Sequence, residues 1–254
     1  MNGMTDWRGA DLVFFDCDST LSTVEGIDEL AVRRGVDVSA ATAAAMAGKV
    51  PLDAVYAERI RLVAPTAEDL EWLVGRYRAT AVPGAVEVVA AIGQLGIQAR
   101  VLSGGLLPAV APFALELGFP EDAVDAVPYD ASDPEGAEVS AQHPLARKGG
   151  KAKVVREICE RLGVDSKRTL LVGDGASDLE AAEIVGLFAG FGGVVERPGI
   201  REASGVFLDG PGLEAVALLA AGPDRQEDLA SVDPVLLQYA FSGLAPLAQT
   251  PPPT

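Results

Sequence analysis

Leu12-Val13-Phe14-Phe15-Asp16-Cys17-Asp18-Ser19-Thr20 is the stretch on which the fold turns. Four consecutive apolar residues, β-branched and aromatic members among them, suit a strand buried on both faces, as in a parallel sheet. The run breaks at its carboxyl end on two acids. Residues two apart on extended backbone project to the same side, so Asp16 and Asp18 face one place. Two carboxylates so close resist joint ionisation unless a cation neutralises them or one keeps a proton. A nucleophile beside a proton donor, a pair of metal ligands and a pair of solvated turn residues all remain open. A calcium loop is excluded, because its sixth position would be Leu21 where Gly is needed and its twelfth Ile27 where Glu is needed.

Working outward, the same pattern recurs. Gln98 to Leu102 ends on Ser103-Gly104-Gly105, Thr169 to Val172 on Gly173-Asp174-Gly175, and Gly186 to Phe191 on Gly192-Gly193. Amphipathic helical patterns over Gly84 to Leu95, Leu106 to Leu117, Lys151 to Leu162 and Ser177 to Val185 separate them. Strands alternating with helices predict an α/β fold with a doubly wound parallel sheet. In such sheets the ligand crevice lies beyond the carboxyl ends of the strands, where each polar, Gly-rich segment falls.

Residues 21–81 read as helices only: Ile27 to Arg34, Ala40 to Ala47, Leu52 to Val63 and Ala67 to Arg78. They form a helical insertion after the first strand, with residues 1–20 and 82–223 making the core. Pro51 and Pro65 stand near helix starts, and Pro83-Gly84 marks the return to the sheet. Asp125 to Ser140, with Asp133-Pro134-Glu135-Gly136 in its middle, is expected to be a hairpin. Residues 224–254 carry one helical pattern, Pro234 to Phe241, and run to Pro251-Pro252-Pro253, so a loosely held tail is expected.

Composition narrows the partners. With 49% hydrophobic residues, the 254-residue chain can bury a core, and with 6% aromatics that core is mainly Ala, Val and Leu. A net charge of -17 with no run of Lys or Arg argues against nucleic acid and anionic membrane surfaces. A small anionic substrate then needs a metal or a few placed cations. No apolar stretch approaches the ~18 residues of a membrane span, and Asp6, Arg8 and Asp11 interrupt any signal-peptide core, so a cytoplasmic location is expected. Cys17 and Cys159 are too few for a disulfide framework and lack zinc spacing.

Ser103-Gly104-Gly105 offers a hydroxyl and backbone N–H groups suited to phosphate oxygens, or a plain loop and helix cap. Gly173-Asp174-Gly175-Ala176-Ser177-Asp178 is no dinucleotide fingerprint, since Asp178 stands where a third Gly is required. Taken in isolation, Asp178 reads as a helix cap. Four aspartates, Asp16, Asp18, Asp174 and Asp178, at one sheet edge call for a cation, and oxygen-only donors favour Mg²⁺. Lys151 is the candidate second positive charge, although spacing alone does not separate it from Lys148 and Lys153.

In this order the four segments resemble the motifs of the haloacid dehalogenase superfamily of phosphohydrolases, and the helical insertion resembles its type 1 cap. Within the superfamily the likeness is to the phosphoserine-hydrolysing branch, over most of Asp11 to Gly210, including Glu25-Gly26-Ile27-Asp28-Glu29-Leu30, Met46, Glu58-Arg59 and Gly149-Gly150-Lys151. The resemblance implies a Mg²⁺-dependent phosphomonoester hydrolase of serine formation, monomeric or homodimeric, acting on a small phosphorylated substrate. By it Asp16 is the nucleophile and Asp18 the acid and base. Asp16, the Asp18 carbonyl and Asp174 hold the metal, with Asp178 behind. Ser103, Gly104 and Lys151 bind the phosphoryl group. Glu25 takes the ammonium and Arg59 the carboxylate of phosphoserine, while Met46, Leu52, Gly105 and Ser177 complete the substrate site. Leu52, Leu106, Leu107, Ala152 and Ser177 depart from the usual residues but carry none of the chemistry. Another phosphomonoester such as phosphoethanolamine, a phosphotransferase, and a module that only stores phosphate remain alternatives.

Overall fold

All four residues of β1 (Leu12–Phe15) are buried, and their side chains divide between two cores. Val13 and Phe15 join one with Val101, Leu170 and Val172, while Leu12 and Phe14 join the other with Leu102 and Leu171. That two-residue alternation is what a strand covered on both faces requires. The structure is a computed structural model that describes residues 6–38 and 52–242. With β2 (Gln98–Leu106), β3 (Val124–Val127), β4 (Thr169–Gly173), β5 (Leu187–Phe191) and β6 (Val206–Leu208), β1 forms one sheet of order β3-β2-β1-β4-β5-β6, every pair parallel. The chain winds outward from β1 to β3, then returns to β4 and winds the other way. The reversal puts the crevice at the carboxyl ends of β1 and β4.

Three helices of the insertion are described: α1 (Gly26–Arg34), α2 (Leu52–Val63) and α3 (Ala67–Ala79). Thr66 and Asp69 start α3 with a reciprocal capping box, and Asp69 also accepts a bond from Arg33 Nε of α1 at 2.7 Å. The segments that leave and re-enter the sheet run side by side, with Thr23 N–H donating to the Thr80 carbonyl at 2.8 Å and Val82 N–H to the Leu21 carbonyl at 2.9 Å. The helix expected over Ala40 to Ala47, along with Met46 and Pro51, lies outside the described residues.

The sheet is covered by α4 (Ala85–Gln94), α5 (Leu107–Glu116) and α10 (Glu214–Ala221) on one face. On the other lie α7 (Gly150–Leu162) and α9 (Pro198–Ala203), with the short α8 (Ala176–Leu179) after β4, while α6 (Gly136–Gln142) packs against α2 and lends Ala137 to the first core. No described helix is long and apolar enough to cross a membrane.

The structure departs from the sequence expectations in four places. Asp125 to Ser140 is not a hairpin: β3 pairs parallel on β2, and the Asp133-Pro134-Glu135 turn leads into α6. β2 does not stop at Leu102 but continues through Ser103-Gly104-Gly105 to Leu106, with an irregularity in register between Leu102 and Leu106. The helix expected over Ser177 to Val185 is a single short turn, α8. The expected loose tail is packed as far as the structure describes it, as α11 (Gln226–Val232) and α12 (Pro234–Ser242) bury Leu229, Leu236 and Ala240 against the core that holds α10.

Candidate active site

Asp16 follows β1 directly, its N–H bonded to the Val172 carbonyl of β4 at 2.9 Å, so both strands fix its backbone. Its Oδ1 accepts from Cys17 N–H at 2.8 Å, and its Oδ2 lies 2.8 Å from Lys151 Nζ. Lys151, in the first turn of α7 and 3% exposed, also donates to Asp178 Oδ1 at 2.6 Å. Asp178 reaches back beneath the end of β4, where Gly175 N–H donates to its Oδ2 at 3.1 Å. Gly173 permits this, because a Cβ there would stand 2.2 Å from the Asp178 carboxyl carbon.

Asp16, Asp174 and Asp178 each offer a carboxylate oxygen, and these oxygens lie within 4.8 Å of one another, all three residues buried. Thr20 Oγ1 stands 3.5 Å from Asp174 Oδ1. Asp174 Oδ2 has an ion contact of 2.8 Å with Arg197, but the guanidinium is not aligned as a donor, and this buried oxygen has no hydrogen-bond partner. A buried, undonated carboxylate oxygen beside two further carboxylates is the donor set of a hard divalent cation. The residues present therefore fit a metal ion.

A cation there would relieve the crowding of charge. Burial, reinforced by Asp16 and Asp178 and opposed by Arg197, pushes Asp174 up to about 8. Burial also raises Asp178, against the pull of Lys151. Lys151 itself is held above its ordinary value, since Asp16 and Asp178 outweigh its desolvation. Lys151 is therefore charged, and the excess sits among the carboxylates. Asp18 is lifted to about 7 by burial and by Glu25, with the hydrogen bond from Tyr77 opposing.

A cavity of about 220 Å³ gathers most of the residues expected from sequence: Asp16, Asp18, Glu25, Arg59, Gly104, Lys151, Asp174 and Ser177. Glu25 Oε1 accepts from Ser19 Oγ at 2.7 Å, and Arg59 of α2 is paired with Asp28 of α1. Asp178 lies behind the wall. Ser103 is fully buried and does not line the cavity, for its Oγ is occupied by Gly105 N–H at 2.9 Å, and Gly105 is likewise set back. The irregular end of β2 turns both inward. Met46 is outside the described residues, as is the Leu52 side chain.

Three residues at the site were not anticipated. Arg197, in the loop after β5, lines the cavity 2.8 Å from Asp174 and 3.5 Å from Glu25. Its signal was a lone cation just past a strand end that the sequence did mark, Gly192-Gly193. Tyr56 of α2 donates from its hydroxyl to the Gly104 carbonyl at 2.9 Å, tying the insertion to the sheet edge. Tyr77 of α3 donates to Asp18 Oδ1 at 2.6 Å. Both tyrosines read as core aromatics in a helical pattern.

Three clustered carboxylates that fit a metal, a buried lysine bridging two of them and a helical insertion beside the crevice of a doubly wound parallel sheet suit a hydrolase of the α/β class. The model of the haloacid dehalogenase-like hydrolases matches residues 10–186, and the chain belongs to that family. It is 36% identical over 196 residues to the phosphoserine phosphatase of Homo sapiens, covering 76% of this chain and 86% of that protein. The chloroplastic phosphoserine phosphatase of Arabidopsis thaliana is 35% identical, covering 76% and 67%. A substrate-bound phosphoserine phosphatase complex superimposes with a TM-score of 0.67 at 26% identity, covering 82% of this chain and 97% of that one.

Proposed function

We propose that this chain is a Mg²⁺-dependent phosphatase that hydrolyses O-phospho-L-serine to serine and phosphate. The observation that carries the reading is the pairing of Asp16, with Lys151 Nζ 2.8 Å from its Oδ2, and Asp18 on the wall of one cavity. Asp16 attacks phosphorus in line. The bond from phosphorus to the serine oxygen breaks, Asp18 gives its proton to that oxygen, and an aspartyl phosphate remains on Asp16. Asp18 then takes a proton from water, whose oxygen displaces Asp16 from phosphorus and releases phosphate.

Asp16, Asp174 and the backbone carbonyl of Asp18 would hold the magnesium ion, with Asp178 and Lys151 steadying the set. When bound, the ion offsets charge on the phosphoryl oxygens and on the clustered carboxylates. Lys151 adds a fixed positive charge, and Gly104 lines the wall beside the phosphoryl group. Ser103 holds the Gly105 N–H and so shapes that wall from behind.

The helical insertion, residues 21–81, acts as the cap and selects the substrate. Glu25 pairs with its ammonium and Arg59 with its carboxylate, since a guanidinium presents a planar fork to two oxygens. Ser177 adds to the lining, and Met46 and Leu52 keep the substrate-binding role that the family resemblance gives them. The test is phosphate release with magnesium across phosphoserine, phosphothreonine, phosphoethanolamine and sugar phosphates. Phosphoserine is expected to lead, and Asp16→Asn and Asp18→Asn are each expected to abolish release from it while the protein stays folded. Turnover unchanged in either variant overturns the chemistry; a sugar phosphate or phosphoethanolamine turned over faster overturns the substrate.

A further inference from the structure

We propose that Tyr77 is a positioning residue for Asp18, fixing which oxygen of the catalytic acid carries the proton. This rests on the reading of Asp18 as acid and base. Tyr77 is wholly buried on α3, and its ring stacks on Phe113 of α5 at 5.4 Å between centroids and 23° between planes. The ring is thereby held by the core. Its hydroxyl donates to Asp18 Oδ1 at 2.6 Å, while the cavity is lined by Asp18 and not by Tyr77. Whatever Tyr77 does to the reaction therefore passes through Asp18.

The backbone around the hydroxyl is shaped to admit it. A Cβ on Gly26 would stand 2.0 Å from Tyr77 Oη, and a Cβ on Gly105 would stand 3.4 Å from it. Glycine at 26 thus leaves the space the phenol oxygen fills, next in the chain to Glu25.

The chemical consequence follows from the freedom of a carboxyl group. The last torsion of Asp is broad and nearly two-fold, so an unheld carboxyl presents either oxygen to the cavity or neither. With Oδ1 engaged as the acceptor of a phenol proton, the acidic proton resides on Oδ2, and the group is ready to pass it to the departing serine oxygen. In the second half the same oxygen accepts the proton of water. A phenylalanine at 77 fills the core equally well but removes the side-chain donor from Oδ1, leaving the carboxyl to the Gly26 N–H alone and less firmly set.

The experiment uses two substrates that differ in need for the acid. Phosphoserine expels an alkoxide and needs its proton, whereas 4-nitrophenyl phosphate expels a stable phenolate. For each, kcat/KM reports formation of the aspartyl phosphate. Tyr77→Phe is expected to lower kcat/KM for phosphoserine about ten-fold relative to that for 4-nitrophenyl phosphate, a fraction of what general acid catalysis supplies, and to do so through kcat with KM for phosphoserine nearly unchanged, whereas a lost serine-binding contact raises KM. Gly26→Ala, whose added methyl displaces the hydroxyl, is expected to shift the same ratio in the same direction. An unchanged ratio in both variants overturns the assignment. If Tyr77→Phe does not fold, as judged by its thermal melt, the ratio in Gly26→Ala decides alone. Asp18→Asn on the same two substrates separates the levels: full phosphoserine turnover there overturns the reading of Asp18 itself, while its loss together with an unchanged ratio in the Tyr77 and Gly26 variants overturns only the role given to Tyr77.

Discussion

Replacing Lys151 with Met keeps a long unbranched stem and removes only the ammonium. The wild-type Nζ lies 2.6 Å from Asp178 Oδ1 and 2.8 Å from Asp16 Oδ2, with the three side chains 3%, 0% and 12% exposed respectively. Water therefore does not take over the task of solvating the abandoned carboxylates. Breaking a buried pair from one side costs about 3–5 kcal/mol, because the partner charge stays behind uncompensated. That is a large share of a total stability of roughly 5–15 kcal/mol. In a protein of this size each kcal/mol moves Tm by about 2–4 °C, so a fall of roughly 6–20 °C is expected. Proton uptake by Asp178 or Asp174 limits the loss and favours the lower end. The assay is thermal unfolding in the presence of a chelator, with Lys151→Met, Asp178→Asn and the double variant measured together. Adding Asp178→Asn to Lys151→Met removes one abandoned charge and is expected to restore part of the lost Tm, the mark of direct coupling. A Tm for Lys151→Met within about 2 °C of the parent refutes the reasoning. So does a double variant that loses stability by simple addition.

Excess magnesium is expected to raise Tm, since an ion at 100 times its Kd adds about 2.7 kcal/mol to the folded state; Asp174→Asn, lacking the undonated oxygen, is expected to lose most of that shift in a melting titration. Arg59→Ala is expected to raise KM for phosphoserine about ten-fold or more, as a charged hydrogen-bond pair is lost, and to leave KM for 4-nitrophenyl phosphate nearly unchanged, which steady-state kinetics on both substrates checks. Asp69 is lowered to about 2, because bonds from Thr66 N–H, Arg33 and the Thr66 hydroxyl, with Arg34 nearby, outweigh the desolvation that would raise it. A carboxylate depressed in the folded state adds stability above its ordinary value and loses it as pH falls through about 2. Asp69→Asn is therefore expected to lower Tm at neutral pH, with the gap from wild type closing on acidification toward that value in parallel melts.

The central strands were legible because each is a short apolar run that stops on a Gly or Asp, and in a parallel sheet those stops are also where the chemistry gathers. Asp16, Asp18 and Asp174 stood out as candidates from that pattern, whereas Lys151 was separated from Lys148 and Lys153 only by the family resemblance. β3 was not legible as a parallel strand, since Val124-Asp125-Ala126-Val127 at the sheet edge is only half covered and resembles one arm of a hairpin. Two consecutive glycines suggested that β2 ends at Leu102, yet the strand continues because its backbone still pairs up to Leu106 with Val127. Arg197, Tyr56 and Tyr77 escaped notice for a different reason. Each acts on a partner far away in sequence, and only the closed fold supplies that partner.

The ion site straddles β1 and β4, which are neighbours in space although Thr20 and Asp174 are 154 positions apart along the chain. A local fragment can hold Asp16 with the Asp18 carbonyl, or Asp174 with Asp178, but not both sides of the site. A divalent ion thus has no complete set of ligands to grip until the two halves of the winding have met across the middle of the sheet, at a stage when the slow search is already over. The cation should behave as a latch rather than a nucleus: it leaves the refolding rate almost untouched and lengthens the lifetime of the finished molecule.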